Sequence, residues 1–570
     1  MADGLGLGNA YSATLDRIKG QGGEKSRLGM ATLMWISHAE RPLNPDELCH
    51  ALAVEIGSPD LSPDNVPSIG TLLACCQGLV FVDKEASTVR LIHFTLQEYL
   101  RAHPGFFGTP DSTIAETCLV YLNLQQVKAL PPSFQPNLQD TPFLEYSSLY
   151  WGVHAKRDLS DCAKLLALKL FDDYKNHVST GILLEAQESW YPIDFDKFSL
   201  FNGLHCASIF GIVEIVASLV GVEGCDVNQK DCTGNTSLVW AAINGHEEVV
   251  KILLGRDDIN PDIPDLSDRT PLCWAAINGH EGVVKILLGR DDVNPDKLEN
   301  NDQTPLCRAA ENGHEGVVKI LLGRGDVNPD KPNMFGRTPL YYAAWNRHEG
   351  VVKILLGRDD VNPEKPDNGG LTPLCCAAKI GHEEVVKILL GRDDVNPNKP
   401  DNSGQTPLCC AAENGHKGVV KILLGRDDVD PEKPDNGGLT PLCCAAKEGH
   451  EEVVKILLGR DDVNPNKPDN EGQTPLCCAV KSGHEGVVKI LLGRDDVDPD
   501  KPDNDGLTPL CCAAEEGHEE VVKILLGRDD VNPDKLDNEG QTPLYYAVKY
   551  QYEGIVALLQ SRKATARIAA

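Results

Sequence analysis

The chain has 570 residues, 41% of them apolar and 24% charged, and a formal net charge of −31 from 54 basic and 85 acidic side chains. That composition excludes a disordered tail, and a field of this sign repels phosphate backbones and anionic headgroups, so neither nucleic acid nor membrane is expected as a partner. No eighteen apolar residues run together and MADGLGLGNAYS lacks the regions of a secretory leader. A cytoplasmic protein is therefore expected, with a nuclear one also compatible, and its twenty cysteines are expected to be reduced thiols.

In chain order, residues 1–27 are expected to form a helix and linker. Within them Gly20-Gln21-Gly22-Gly23-Glu24-Lys25-Ser26 looks like a phosphate loop, but Glu24 stands where a glycine must precede the lysine, and helical YSATLDRIK stands where a strand is needed. Residues 28–103 read as three helices and a hairpin. Leu28, Ala31, Leu33, Met34 and Trp35 begin the first helix, and Asn44-Pro45-Asp46-Glu47 is a capped start to the second, with Glu at the third position. Ile69, Leu72, Leu73 and Cys76 line the third. Leu79 to Val82 and Val89 to His93 then alternate around a polar turn as a strand pair. This is the order of a winged helix, and residues 104–196 follow it as a helical spacer.

The segments RPLNPDELCHALAV, CQGLVFVDKEASTVRLIHFTLQEYL and, from Pro142, PFLEYSSLYWGVHA resemble the winged-helix and following helical segment of filamentous-fungal NACHT-ankyrin proteins. In that family the winged helix carries the label GPI inositol-deacylase winged helix. The resemblance implies the sensing part of an NLR-like signalling receptor. The alternative is the regulatory half of a STAND-type NTPase switch whose NACHT core is missing from this chain or supplied elsewhere. No G-x-S-x-G elbow is present, so the deacylase label brings no hydrolase chemistry. Residues 1–196 hold 14 basic and 24 acidic side chains, which is not the basic footprint of a DNA-binding winged helix.

From residue 197 one unit repeats. A threonine recurs every 34 residues at Thr236, Thr270, Thr304, Thr338, Thr372, Thr406, Thr440, Thr474, Thr508 and Thr542, and one step back falls on Asn202. Eleven units therefore fill 197–570. In the unit that begins at Asp435, Thr440 is a helix N-cap, Pro441 takes the first helical position and Gly449 supplies a left-handed turn. A second helix with Val453, Val454, Ile456, Leu457 and Leu458 on its apolar face runs to Gly459. Helices of roughly eight or nine residues are unstable alone, so neighbouring units must cover them. The segment GRDDVNPNKPDN makes a long turn to the next unit.

The spaced Trp, Leu-Gly and Tyr positions of tetratricopeptide repeats are missing. The TPLxxAA and GHxxVVKxLL patterns resemble instead the ankyrin repeat, whose usual period is about 33. The resemblance implies a mainly α fold, a winged helix and helical spacer followed by an ankyrin solenoid of eleven units, and a non-enzymatic scaffold for protein partners.

Packing positions stay constant between copies, while two zones change, one just before the Thr and one just after the Ala-Ala pair. The ankyrin resemblance places them at the turn tips and on the concave helix face. They hold Phe335, Arg337, Trp345, Asn346, Lys379, Ile380, Glu413, Lys447, Glu448, Lys481 and Glu515, which are expected to touch a protein partner. Trp345 is the expected anchor, because exposed aromatics anchor interfaces. Drift at exposed sites is the alternative. The units from Asp367 and Asp435 differ only at Ile380 and Glu448, and Leu371, Leu439 and Leu507 alternate with Gln405 and Gln473, which points to duplication in pairs of units. The acidic field favours a partner with a basic surface.

No catalytic, cofactor or metal site is expected. Twelve cysteines occupy the two slots after TPL, and because the second slot also takes Trp274, Arg308, Tyr342 and Tyr546 it is expected to be partly open, with Cys as a soft packing residue. The histidine of each Gly-His pair, His246 to His518, is expected to hydrogen-bond between units rather than hold metal. Triplets such as Asp292, Asn294 and Asp296 resemble half a calcium loop, but Lys297 replaces the required glycine and Gln303 the bidentate glutamate, so turn-forming Asx chemistry is expected.

Overall fold

The computed structural model describes residues 4–131, 141–187 and 200–569, and its first unit, Met1–Asn294, begins with helices. Helix α1 (Gly4–Gly20) places Tyr11, Leu15 and Ile18 against the rest of this region, and Gln21 Nε2 donates to the Cys75 carbonyl at 2.8 Å. Tyr11, Leu15 and Ile18 thus join the winged-helix core, so α1 is not only a lead into it. Helix α2 (Gly23–His38) and α3 (Pro45–Ala53) follow. The predicted capping box is present: Glu47 N–H donates to Asn44 Oδ1 and Asn44 N–H to Glu47 Oε2, each at 2.8 Å. The buried Glu47 carboxylate also receives Arg41, which compensates its desolvation.

Helix α4 (Ile69–Cys75) precedes the hairpin of β1 (Val80–Asp83) and β2 (Thr88–Leu91), paired antiparallel with Val80 opposite Leu91. Val80 and Val89 turn inward. Residues 94–102 then form α5 (Phe94–Ala102), where the strand expectation ended at His93. The His93 ring accepts the Thr95 N–H and so caps this helix.

The spacer is helical as expected, with α6 (Pro110–Leu122), α7 (Gln125–Lys128), α8 (Leu144–Arg157), α9 (Asp161–Phe171) and α10 (Val178–Ala186). It shares its core with the winged helix through Trp35, which meets Phe143 and Tyr146 edge-on at 5.5 and 5.9 Å. Three further repeat layers complete this unit. The first inner helix, Gly203–Phe210, is capped by Asn202, so the degraded copy keeps its helix start. Spacer aromatics cover it: Trp151 meets Phe210 at 5.3 Å, and a Cβ at Gly152 or Gly203 would collide with Phe210 or Phe171. The expected domain boundary at 196 and the repeat start at 197 lie outside the described residues.

The second unit, Pro295–Ala570, contains the later repeats. Its inner helices have seven or eight residues, as in Pro441–Lys447, and its outer helices eight, as in Glu451–Leu458, except for the last, Glu553–Ala569. Thr440 Oγ1 accepts the Cys443 N–H, and Pro441 costs nothing at the first position because its missing N–H has no helical acceptor. The outer helices end at Gly459 and its equivalents in right-handed backbone. The left-handed glycine is the one after the inner helix, Gly449 at φ 79°, where a Cβ would lie 2.6 Å from the His484 ring. Among the described residues no helix is long and apolar enough to cross a membrane.

Candidate protein-interaction surface

Most layers position their variable residues with the same hydrogen bonds. In the turn, Asp435 Oδ1 accepts the N–H groups of Gly437 and Leu439, closing a tip that projects the residue before Thr440. Tips are tied in series: Asn470 N–H donates to the Gly437 carbonyl and its Nδ2 to the Asn436 carbonyl. At the far end of the inner helix, His450 Nε2 donates to the Glu413 carbonyl at 2.9 Å, and His382, His416, His484 and His518 do the same to Trp345, Lys379, Lys447 and Lys481. The histidines therefore hold the backbone of the variable strip, as expected. Arg460 Nη1 adds a bond to the Leu424 carbonyl while its Nε and Nη2 hold Asp462.

On this frame the structure brings Phe335, Arg337 and Trp345 together. The Arg337 guanidinium lies 5.5 Å from the Phe335 ring, 5.2 Å from Tyr341 and 5.8 Å from Trp345. Trp345 stacks on the buried Tyr341 at 6.1 Å with an interplanar angle of 16°. Trp345 is 40% exposed and Phe335 48%, and Met334 beside it is also exposed. Asp367 stands 3.8 Å from Arg337, so the cation is balanced without being withdrawn from the rings. Cation–π contacts of this kind are worth about 0.5 to 1 kcal/mol each at exposed sites, enough to order the side chains before a partner arrives.

The remaining expected residues form a strip and do not join this cluster as one site. Asn346 uses its Nδ2 on the Glu311 carbonyl. Lys379 is exposed and Ile380 half-buried at the end of the helix Pro373–Ile380. Glu413 receives Gln405 Nε2, and Glu515 receives the Tyr550 hydroxyl. Lys447 and Lys481 flank a small cleft of about 330 Å3 floored by Leu439, with Lys481 3.5 Å from the buried Asp503. Glu448 is exposed outside it.

The second cysteine slot is closed where it was expected to be partly open, while its thiols pack as expected. Cys376, Cys410, Cys444, Cys478 and Cys512 of the second slot are buried, because a small thiol is covered by the next layer, whereas Trp274 and Arg308 grow past that cover to half-exposed positions. Burial pushes the Cys307 thiol up to about 11 and raises Cys477 and Cys512 as well, which disfavours thiolate at these three, whereas hydrogen bonds from Cys410, Cys444 and Cys478 lower Cys375, Cys409 and Cys443. The first-slot thiols Cys375 and Cys409 donate to the Lys399 and Lys433 carbonyls. The Asp-x-Asn-x-Asp oxygens are turned to separate tasks: Asp326 holds Arg324, Asn328 Oδ1 accepts the Asp330 N–H, and Asp330 Oδ2 accepts the Asn362 N–H. The Asn328 contact is an Asx turn, the Asp326 contact an ion pair, and the Asp330 contact ties one layer to the next.

One relation escaped the sequence reading. Large second-slot residues bond to the turn residue nine positions earlier: Trp240 to Asp231, Trp274 to Asp265, Arg308 to Glu299, Tyr342 to Asn333 and Tyr546 to Asp537. The signal was available, since glutamate pairs with the arginine and asparagine with one tyrosine when copies are compared. The platform role of Tyr341 was missed for the same reason.

In comparisons with known proteins, the family model described as ankyrin repeats (3 copies) matches residues 204–298, 291–367, 360–435, 428–503 and 495–569. The model described as GPI inositol-deacylase, winged helix domain matches residues 17–106. No curated protein matches the chain.

Proposed function

The chain belongs to the ankyrin-repeat family, whose matches span 204–569, and from that membership we propose that the Phe335–Arg337–Trp345 cluster, with the adjoining strip from Lys379 to Glu515, binds a protein partner. The observation that carries this reading is the cluster itself: two half-exposed rings held by an arginine and a buried tyrosine, in a repeat where they converge on one cation. Rigid aromatics with an arginine are the composition of interface anchors. The net charge of −31 steers a partner with a basic surface toward the array, and the rings then take its apolar side chain.

The finer reading is a scaffold or sensing part of an NLR-like signalling receptor, without catalysis, in the cytoplasm. It is supported by the winged-helix match upstream of the repeats and by twenty free thiols, which suit a reducing compartment. The winged helix is read as a partner of its own neighbours and not of duplex DNA, because α4, IGTLLAC, carries no lysine or arginine. Affinity capture with the full chain, compared with a Trp345→Ala/Arg337→Ala variant and with charge reversals at Lys379 and Lys447, tests the surface. Specific partners should be lost from the first and weakened in the second while the melting curve is retained; an unchanged partner set removes the proposal.

A further inference from the structure

The winged-helix region holds a groove that neither the repeats nor the core uses. It encloses about 600 Å3 between the end of α2, strand β2 and α5, within the size range of binding clefts. Phe81, Ile92 and Phe94 stand at it in the open, Phe94 with 66% of its surface exposed. Single exposed apolar residues are ordinary, but three around one concavity form a patch.

The backbone of β2 adds a second, independent observation. Val89 N–H donates to the Leu43 carbonyl at 2.9 Å, away from β1, while Ile92 N–H donates back to Leu79. Odd-numbered residues of β2 therefore turn their backbone groups outward. Leu91 is the next outward residue, it lines the groove, and its N–H meets no acceptor among the described residues. The chain that covers Val89 has diverged by this point, so a strand edge is left open where it faces the cavity.

One cation at the opening is left over from the ion pairs around it. Arg41, Arg90 and Arg101 line it against Glu40 alone, and Glu40 is held by Arg157. Arg41 is occupied by Glu47, and Arg90 lies 3.6 Å from Asp83. Arg101 uses its Nε on the Ser37 carbonyl and, among the described residues, forms no ion pair with a carboxylate.

We propose that this groove binds an extended segment of a partner protein in which acidic and apolar side chains alternate, added as a strand to the Leu91 edge of β2. Backbone pairing at Leu91 supplies the register. Because side chains alternate along a strand, one set reaches Phe94 and Ile92 while the other presents carboxylates to Arg101. This surface is separate from the repeat cluster, and the two can fail independently.

The test titrates the full chain with a fluorescein-labelled peptide of alternating Glu and Val and with a control of alternating Lys and Val, and follows amide exchange across residues 88–92. The Glu peptide should bind about tenfold or more tightly than the control and slow exchange in that window. Phe94→Ser, at an exposed position outside the core, should weaken it about fivefold with the melting curve unchanged, and Arg101→Glu should invert the charge preference. Equal binding of both peptides, no binding below about 1 mM, unaltered exchange at 88–92, or displacement of the peptide by duplex DNA would each overturn the proposal.

Discussion

The N-terminal region and the repeats are stabilised in opposite ways. In the first, each decisive contact occurs once: Trp35 on Phe143, Trp151 on Phe210, and the buried His154 between Asp111 at 2.6 Å and the Tyr146 hydroxyl at 3.0 Å. In the repeats a modest set of contacts recurs in most layers, a threonine cap, a glycine against a histidine, an arginine on the preceding carbonyl. Redundancy of this kind leaves the exposed positions free to vary, because no single layer carries the fold. The same contrast marks the ends of the series: spacer aromatics cover the first inner helix, whereas Tyr545 and Val548 of the last are exposed at positions buried in earlier copies.

The contrast breaks most visibly at Trp151. Trp151→Ala should cost about 3 to 5 kcal/mol by leaving a cavity between spacer and first repeat, read as an earlier urea transition; a loss below about 1 kcal/mol would mean that the spacer does not support the array. Gly449→Ala should cost about 2 to 3 kcal/mol through left-handed backbone and contact with His484, with the loss confined to neighbouring layers in hydrogen exchange.

Acid should act where burial lowers a histidine, in the spacer at His177 and in the repeats at His246. Burial pushes His177 and His246 down to about 4, so both are neutral in the folded protein at pH 7 and the unfolded chain binds protons more readily. Their contribution is present above about pH 6.5 and is lost as pH falls from there toward 4, with roughly 2 kcal/mol at stake for His177. Urea melts at pH 7 and pH 5 should show the fall, and His177→Gln should flatten it. The smallest expected effect is Thr440→Ala, about 1 kcal/mol for one cap among many. If it instead unfolded the whole array, redundancy would be the wrong description.

Much of the fold was legible because its signals are local. Thr-Pro starts, Gly-His ends and the capping box at Asn44 and Glu47 depend on residues within one turn of one another. The site was legible only in part. Phe335, Arg337 and Trp345 could be named from their variability and type, but Tyr341 beneath them, the i, i+9 bonds such as Arg308 to Glu299, and the closure of the second cysteine slot depend on a turn folding back over a helix and on the following layer. The segment 4–20 joined the winged-helix core for a similar reason, since Leu15 and Ile18 are buried by partners distant in sequence.

What the sequence by itself determined is the repeating element: its 34-residue period, its caps and its apolar faces, all set by short-range backbone chemistry. Only the tertiary structure decided which surfaces are available. An arginine between aromatic rings and an unpaired strand edge beside Arg101 arise when separate segments meet, and close approach in space is not encoded in the spacing of residues along a chain.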